Sequence, residues 1–438
     1  MMRNPTPALR PRLRVILASL SLLSPVVAAA PLAGRQDTAP PPRARLERIL
    51  LENILPFWYP AVLDEVHGGY RLNHDLQGRW QGDGPKATVT QARTLWFFSR
   101  LLESPYARPE FRRAAEHGFQ FLRDRLWDAQ YGGFYWSVAA DGTPLDDRKH
   151  LYAQAFALYG LSAYARVTGD VEARGLARRL FDLIEDRAYD SRFGGYRESF
   201  TRDWRPLERE EAGLLGPPEN AKTMNTHLHL MEALTELLKL EDVPPVRRRL
   251  HELVLIETNT VIRKPFIQGT DIYRADWTPV LEGPGAMTSY GHDLENVWLV
   301  MEALETLGLP QHPLQEWYRA VWETALRYGY DRDRGGFWYR GPLGARATVL
   351  NKEWWVQAEC LVSALRMYQL TGDARYREVF LDLLDWIEKK QVDWENGEWF
   401  ANVDPDGSVR GGKAGPWKGP YHNARAVLEC LKTLAGME

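Results

Sequence analysis

Residues 132–138 read Gly-Gly-Phe-Tyr-Trp-Ser-Val, two glycines followed by alternating aromatic and polar side chains. Such a pattern predicts a tight turn that leads into a short β-hairpin strand. The turn recurs at Gly68-Gly69-Tyr70, Gly194-Gly195-Tyr196 and Gly335-Gly336-Phe337, with a degenerate copy at Asn396-Gly397-Glu398-Trp399. The first glycines, at positions 68, 132, 194, 335 and 397, are 64, 62, 141 and 62 residues apart. Because the long step is about two periods, we predict six units, with one drifted copy around Gly269 to Trp277.

Between the turns, apolar residues recur with helical period, which predicts two helices in each unit. The predicted helices start at residue 45 and then cover roughly residues 89–102, 111–127, 152–168, 171–187, 222–240, 246–263, 292–307, 314–328, 353–370, 375–390 and 423–435. Residues 157–165 are apolar nearly all round, as a helix of an inner ring must be, whereas residues 381–388 carry charge on one side. We therefore expect an all-α fold, an (α/α)6 barrel of twelve helices with short β-hairpins at the Gly-Gly-aromatic turns. An open solenoid is the alternative.

The first 30 residues differ from the rest of the chain. Arginines precede an apolar run from Val15 to Val27, and Ala28-Ala29-Ala30 follows. This order is typical of a secretory signal peptide. We predict a signal peptide at residues 1–30, a flexible linker at 31–43 and the barrel domain at 44–438. The protein is then expected to be periplasmic or secreted, with no membrane attachment once the signal is removed.

Composition limits the classes of partner. The formal net charge of −3 over 438 residues gives no reason to expect a nucleic acid or an anionic membrane as partner. The 17 Trp and 19 Tyr suit sugar recognition, although most are expected in the core. Cys360 and Cys430 fall within apolar helix patterns, which fits buried free thiols, while a disulfide stays open. The oligomeric state is not indicated.

Every predicted inner helix begins with polar or aromatic residues that core packing does not explain. The pairs are Arg93 with Trp96, Tyr152 with Gln154, Asn225 with His229, His292 with Glu295, Trp355 with Glu359, and His422 with Arg425. Closing the barrel would bring them to one rim around one pocket. Histidine has an ordinary pKa of about 6.5, so three histidines in one pocket indicate proton transfer.

Other readings of these residues are weaker. A zinc site formed by three histidines lacks the usual spaced metal-ligand motifs, so no metal is expected. Glycoside hydrolysis needs two carboxylates, for which Glu295, Glu353 and Glu359 are candidates, but it has no need of three histidines. His227 lies about 200° from His229 around a helix, which predicts a hydrogen-bonded structural role for His227.

The matching segments are Arg93 to Ser99, Asn225 to Glu232, Gly291 to Glu295, Glu353 to Glu359 and Trp417 to Asn423. Through these segments, the chain resembles the N-acylglucosamine 2-epimerase superfamily, and within it the cellobiose 2-epimerases, over nearly all of residues 44–436. The Trp354-Trp355 pair and the Gly-His-Asp-Leu-Glu form are similar to those of disaccharide epimerases. The resemblance implies an (α/α)6 barrel and an isomerase.

The resemblance also implies a reaction and a set of roles. The reducing-end sugar opens, one base removes the C2 proton to give a cis-enediol(ate), and reprotonation on the other face inverts C2. His292 and His422 match the acid/base pair, whose pKa values should lie near neutrality. The other implied roles are ring opening or substrate holding by His229, orientation of sugar oxygens by Arg93 and Asn225, support of His292 by Glu295, stacking by Trp355 and Trp417, and substrate contacts by Tyr152, Trp354 and Glu359.

This reaction needs neither a metal nor an organic cofactor. The expected substrate is a β-1,4 disaccharide such as cellobiose, converted to glucosylmannose. An aldose–ketose isomerase of the mannose/fructose type and an N-acylglucosamine 2-epimerase remain alternatives within the superfamily. A non-catalytic barrel that binds sugar or protein is a further alternative.

Overall fold

Twelve helices make up the part of the chain that the structure, a computed structural model, describes: Met1 and residues 40–438. They are α1 (Pro42–Arg48, a wider π-helical part Ile49–Ile54, and Leu55–Trp58), α2 (Thr88–Glu103), α3 (Pro109–Phe121), α4 (Leu151–Thr168), α5 (Val171–Arg187), α6 (Met224–Leu240), α7 (Pro244–Leu255), α8 (Tyr290–Leu307), α9 (Gln315–Tyr328), α10 (Trp354–Thr371), α11 (Ala374–Trp386) and α12 (His422–Met437). π-Helical turns Leu122–Leu126, Ile256–Val261 and Ile387–Gln391 extend α3, α7 and α11, and short 3-10 turns lie at Gly283–Ala286 and His312–Leu314.

The even-numbered helices form an inner ring and the odd-numbered helices an outer ring. Every residue of α4 from Leu151 to Ala165 is buried, whereas α5 buries one face. Consecutive inner helices pack against each other from α2 to α12. The ring closes between α12 and α2, where Arg100 donates to Glu429 at 2.6 Å and the Trp96 and Tyr421 rings lie 5.7 Å apart. The predicted (α/α)6 barrel is confirmed.

Fourteen short strands connect the helices. They are β1 (Lys86–Ala87), β2 (Ser137–Val138), β3 (Pro144–Asp146), β4 (Lys149–His150), β5 (Ser199–Phe200), β6 (Lys222–Thr223), β7 (Ile262–Arg263), β8 (Gln268–Gly269), β9 (Ile272–Tyr273), β10 (Met287–Ser289), β11 (Arg340–Pro342), β12 (Lys352–Glu353), β13 (Asn402–Val403) and β14 (Val409–Arg410). All pairs are antiparallel, in the sheets β1-β2-β3, β4-β5, β6-β9, β7-β8, β10-β11 and β12-β13-β14. The strand before an inner helix pairs with one from the next unit, as Lys86 does with Val138.

The Gly-Gly-aromatic turns are hairpins of one length. The residues paired across them are Leu63 with Tyr70, Trp127 with Phe134, Tyr189 with Tyr196, Ile262 with Gly269, Tyr330 with Phe337, and Val392 with Trp399. The drifted copy is thus at residues 262–269, and the prediction that placed it between Gly269 and Trp277 is wrong. Ile267 adopts the positive φ, 52°, that the first glycine has in the other copies, so the glycine signal is missing there.

The start of the barrel also differs from the prediction. The linker was predicted to reach residue 43, but α1 begins at Pro42, where proline is favoured in a first helical turn. Arg43 donates to Glu438 at 2.6 Å, which ties this turn to the end of α12. The predicted signal peptide and residues 31–39 of the linker lie outside the described residues. Cys360 and Cys430 are buried free thiols. Among the described helices, none has the length and apolar character needed to cross a membrane.

Candidate active site

Buried lysine–aspartate pairs fix the entry of the inner helices. In five units, an Asp of the hairpin turn accepts from a Lys that lies shortly before the inner helix, and we call each pair a clasp. The clasps are Asp64–Lys86, Asp128–Lys149, Asp190–Lys222, Asp331–Lys352 and Asp393–Lys413, with N···O distances of 2.7 to 3.0 Å. Because a buried ion pair tolerates little displacement, each clasp holds the turn against the start of its helix.

One side chain from each inner helix meets its neighbours near the centre of the barrel. We call these six residues the axial ring: Arg93, Phe156, His229, Glu295, Glu359 and Arg425. Each lies seven residues after an equivalent position of the repeat, which is Lys86, Lys149, Lys222, Thr288, Lys352 and Lys418 in turn. The Arg93 guanidinium lies 4.0 Å from the centre of the Phe156 ring, which lies 4.7 Å from that of His229. Position in the repeat therefore assembles the site from all six units.

Arg425 is the charge centre of the axial ring. Its Nη2 lies 2.5 Å from Glu295 and 2.8 Å from Glu359, and its Nη1 contacts Glu232. One guanidinium cannot balance three ionised carboxylates. Burial raises the pKa of Glu232, but Arg425 and His229 outweigh it and lower that pKa to about 2. Burial and the charge of Glu359 raise the pKa of Glu295 well above its ordinary range. Burial also raises the pKa of Glu359, but Arg425 and the Trp298 N–H oppose that shift, so Glu295 is the first of the two to hold a proton.

Two of the predicted histidines are held by carboxylates. His422 Nδ1 lies 2.6 Å from Glu359 Oε1, and the other oxygen of Glu359 accepts from Trp298 Nε1 at 2.9 Å. His229 Nδ1 lies 3.0 Å from Glu232 Oε2. A carboxylate at Nδ1 assigns the proton to that nitrogen and leaves Nε2 of each ring with a free lone pair.

His292 is placed differently. Its ring lies 4.6 Å from that of Trp355, which lies 5.8 Å from that of His422. Within residues 40–438 its ring nitrogens have no hydrogen-bond partner, so the prediction that Glu295 supports His292 is wrong. Glu295 is three residues further along the helix but pairs with Arg425 instead. Gly291 permits the close approach of α8 and α10, since a Cβ there would lie 2.7 Å from Trp355.

Arg93, Tyr152 and Trp417 meet at the opposite side of the ring. Arg93 donates to the Tyr152 hydroxyl at 2.9 Å and to the Trp417 carbonyl at 3.3 Å. The Trp417 side chain is 45% exposed, so it offers a flat face at the rim. Trp354 lies near His422, with ring centres 6.3 Å apart, and its indole N–H is buried without a partner among the described residues.

A cavity of about 460 Å³ reaches His292 and Asn225. Asp271, Asp293 and Arg340 also lie on its wall. The side-chain oxygen of Asn225 is buried and has no partner among the described residues. The size of the cavity is within the usual range for small-molecule sites, and about half of its lining residues are polar or charged. The site can therefore receive a polyhydroxylated molecule beside His292.

Burial lowers the pKa of all three histidines. Burial lowers the pKa of His229 to about 4, against the opposing charge of Glu232. Burial lowers the pKa of His292 well below its ordinary value, with a contribution from Arg340. Burial and the nearby arginines do the same for His422. These shifts run below the near-neutral pKa values that the reaction was expected to need. The neutral form is favoured at His292, which is ready to accept a proton, whereas His422 has a carboxylate beside it that can balance a proton.

Glu295, Glu359 and His422 offer ligand atoms within 4.8 Å of one another, the spacing of a metal site. The Arg425 guanidinium lies within hydrogen-bonding distance of both carboxylates. The guanidinium of Arg425 already supplies the positive charge at this position, so these residues do not fit an additional metal ion.

The structure adds residues that the sequence did not single out. Glu232 joins His229, Arg425 and Tyr421, and its one signal was a carboxylate three residues after His229 on a buried helix. Asp271 and Arg340 lie outside the inner helices and gave no signal. The predicted structural role of His227 is confirmed, because its Nε2 accepts from the Tyr196 N–H at 2.9 Å.

The chain is similar to proteins of known function over most of its length. The sequence pattern of the N-acylglucosamine 2-epimerase (GlcNAc 2-epimerase) family matches residues 68–426. A cellobiose 2-epimerase from Bacteroides fragilis is 33% identical over 399 residues, 89% of this chain and 98% of that protein. The structure of cellobiose 2-epimerase from Spirochaeta thermophila is 38% identical, covers 90% of this chain and 97% of its own, and has a TM-score of 0.81. That of the Bacillus thermoamylovorans enzyme is 31% identical, covers 89% and 98%, and has a TM-score of 0.82.

Proposed function

Because the chain belongs to the N-acylglucosamine 2-epimerase family and is a carbohydrate epimerase, an isomerase, we propose that it inverts C2 of the reducing-end glucose of a β-1,4 disaccharide. Cellobiose would give glucosylmannose. The observation that carries the proposal is the pair His292 and His422, on separate helices and both against Trp355. Two proton-active groups around one position are what inversion at C2 requires.

The proton transfer follows from the environments of the two rings. His292 has no carboxylate beside it, so it enters the reaction neutral and takes the C2 proton of the open-chain aldehyde. The C–H electrons form the C1–C2 double bond, and the charge moves to O1. His422 takes part as the imidazolium, after taking a proton from solvent at Nε2, and the carboxylate of Glu359 at 2.6 Å balances its charge. It gives the Nε2 proton to the other face of C2. The C1–C2 double-bond electrons form the new C2–H bond and O1 returns to the carbonyl, and the proton on His292 passes to solvent. The reverse reaction exchanges the roles.

The charge on O1 needs donors that are already in place. Arg93 is buried and held by Tyr152 and Trp417, so its guanidinium keeps its direction during the reaction. Asn225 on the cavity wall supplies an amide to a sugar oxygen. Such prearranged donors stabilise a developing oxyanion by a few kcal/mol each, about 3 kcal/mol in well-studied cases. His229, held by Glu232, assists ring opening.

A disaccharide is favoured over a monosaccharide by the size of the cavity and by the exposed face of Trp417. The relatives that are about a third identical are named for cellobiose. In D2O, the protein should place deuterium at C2 of recovered cellobiose and of glucosylmannose, followed by NMR. Glucose, mannose and N-acetylglucosamine serve as competing substrates in the same assay. A ketose product would indicate an aldose–ketose isomerase, and turnover of N-acetylglucosamine alone would indicate an N-acylglucosamine 2-epimerase.

His292→Ala and His422→Ala should each lower the exchange rate by about 10²–10⁴-fold, the usual contribution of a general acid or base. Sugar binding, measured by calorimetry, should change little. The matched control is His251→Asn, at an exposed position of α7, which should exchange at the wild-type rate. Unchanged exchange in both alanine variants would refute the assignment, and sugar binding without exchange in the wild type would indicate a binding protein.

We also propose that the protein is exported, on the basis of the arginines, the apolar run Val15 to Val27 and the alanines at 28–30. The full chain expressed in a Gram-negative bacterium should be found outside the cytoplasm, with a mature N-terminus near Pro31 by mass spectrometry. A Leu20→Arg, Leu22→Arg variant, which interrupts the apolar run, should stay inside. Cytoplasmic wild-type protein with an intact N-terminus would contradict the proposal.

A further inference from the structure

The hairpin turns are held by a second device besides the clasp. In three units, the side-chain amide of a glutamine at the start of the inner helix is hydrogen bonded to both the backbone N–H and the backbone C=O of the aromatic turn residue. Gln91 accepts from Tyr70 N–H at 2.9 Å and donates to Tyr70 C=O at 2.8 Å. Gln154 and Gln357 do the same for Phe134 and Phe337. The equivalent residue of the fourth unit is Asp293, directly after His292.

Asp293 holds its turn with a carboxylate. Its Oδ1 accepts from the Gly269 N–H at 2.8 Å, and its Oδ2 accepts from the Thr288 hydroxyl at 2.9 Å. The side chain is buried, and a Cβ at position 269 would lie 2.7 Å from Oδ1, so only glycine allows the contact. The fourth turn, within residues 40–438, has no clasp: Arg263 and Thr288 stand where the other units have Asp and Lys. Asp293 is therefore the main tie between this turn and α8.

The segment that follows Gly269 is attached to a different inner helix. Two residues later, the Asp271 side chain accepts from the Asn225 N–H at 3.1 Å, and its carbonyl accepts from the Met224 N–H at 2.9 Å. β9 then pairs with β6, the strand that leads directly into α6. Residues 269–271 thus connect Asp293 on α8 to the first turn of α6, which carries Asn225.

We propose that Asp293 is a positioning residue for the epimerase reaction, holding His292 of α8 in register with Asn225 at the start of α6, both of which line the cavity. The contact that carries the proposal is the Asp293–Gly269 hydrogen bond, continued through Asp271 to Asn225. The proposal rests on the proposed function for its effect on rate. The geometry it concerns can be measured without that function.

Asp293→Ala removes both hydrogen bonds and lets the 269–271 segment shift. The rate constant for C2 exchange should fall on the order of 100-fold, as a displacement of about 1 Å in a reacting group does, while KM changes little. Asp293→Asn retains an acceptor for Gly269 and a donor for Thr288, and should restore most of the rate. The matched control is Gln91→Ala, which also loses two hydrogen bonds but in the first unit. It should lose similar thermal stability and keep most of the rate.

Hydrogen–deuterium exchange of backbone amides tests the same proposal independently of turnover. Peptides covering residues 222–229 and 268–273 should exchange faster in Asp293→Ala than in wild type, and at the wild-type rate in Gln91→Ala. Parallel losses of stability and rate in the two alanine variants, or unchanged protection of residues 222–229, would overturn the proposal. If the wild type itself catalysed no C2 exchange, the proposed function would fail while this measurement would still decide the geometry.

Discussion

The second and fourth hairpin turns have the same length, but a buried ion pair holds the second turn and, among the described residues, not the fourth. Asp128 and Lys149 of the second turn are both fully buried and paired at 3.0 Å, and the turn is part of the scaffold. At the fourth turn, Arg263 is partly exposed, and the segment after Gly269 lines the cavity. An ion pair buried in every other unit is absent, among the described residues, from the unit that contains His292. The clasps hold the ring, and the unit without one provides much of the cavity wall.

The largest expected effect is on a clasp. Lys86→Met leaves Asp64 buried without its ammonium partner, so the free energy of unfolding should fall by about 3–5 kcal/mol. Urea denaturation measures it. The equivalent deletion in the fourth turn, Thr288→Val, removes one hydrogen bond and should cost only about 1 kcal/mol.

The double variant Asp64→Asn, Lys86→Met removes the unpaired charge while an amide oxygen still accepts from the Val66 and His67 N–H groups. It should recover part of the loss. Equal costs for Lys86→Met and Thr288→Val would show that the clasp contributes no more than a neutral contact, and the contrast between the two turns would fail.

The pH dependence of stability should have opposite sign at the two turns. Burial raises the pKa of Asp293 from 3.8 to about 7. The unfolded chain releases this proton near pH 4, so the folded state loses stability as pH rises from 4 to 7. Asp293→Asn removes that loss and should exceed wild type by about 2–4 kcal/mol at pH 8 while nearly matching it at pH 4.

Asp128 provides the comparison. Despite burial, Arg202 and Lys149 lower its pKa, so its contribution is present above pH 4 and is lost as pH falls below that value. Asp128→Asn should therefore be less stable than wild type at pH 8, the reverse of Asp293→Asn. Urea midpoints at the two pH values give both differences, and the same sign for the two variants would contradict the assignment.

The smallest expected effect concerns backbone strain. Ile267 is a β-branched residue at φ 52°, in the left-handed region where the other turns have glycine. Ile267→Gly should relieve strain but lose some packing, for a net gain of less than about 1 kcal/mol. Gly335→Ala, at φ 76° in the fifth turn, makes the reverse change and should lose about 1 kcal/mol. Thermal denaturation of both variants separates backbone strain from the other differences between the turns.

The sequence predicted the helices closely because the Gly-Gly-aromatic turns recur between the helix pairs and show where the pairs begin and end. Residues 171–187 were predicted as they are found, and the (α/α)6 order followed from six copies of one pattern. The fourth turn was misplaced because Ile267 replaces the glycine that marks the others. When a residue other than glycine adopts a positive φ, the sequence does not reveal the turn.

The site was predicted less completely, for a different reason. The resemblance implied that Glu295, three residues after His292 on one helix, supports it, but Glu295 accepts from the buried Arg425 across the barrel instead. The spacing of residues along one helix predicts which side chains are neighbours on that helix. It does not predict which charged side chains of other helices face them across the closed barrel. Glu232 was missed because Tyr421 and Arg425 reach it from another unit, and Asp293 because its partner Gly269 is 24 residues away in the sequence.

The ring closure has a consequence for engineering. Arg43 and Glu438 are hydrogen bonded, so the first and last turns of the barrel meet, and Arg100 of α2 is hydrogen bonded to Glu429 of α12. The chain could therefore begin at a different unit without changing the positions of the six units around the barrel axis. A circular permutant, with residue 438 joined to residue 41 by a short linker and new ends cut at an exposed loop between an outer and an inner helix, should keep the helix–helix contacts of the parent ring.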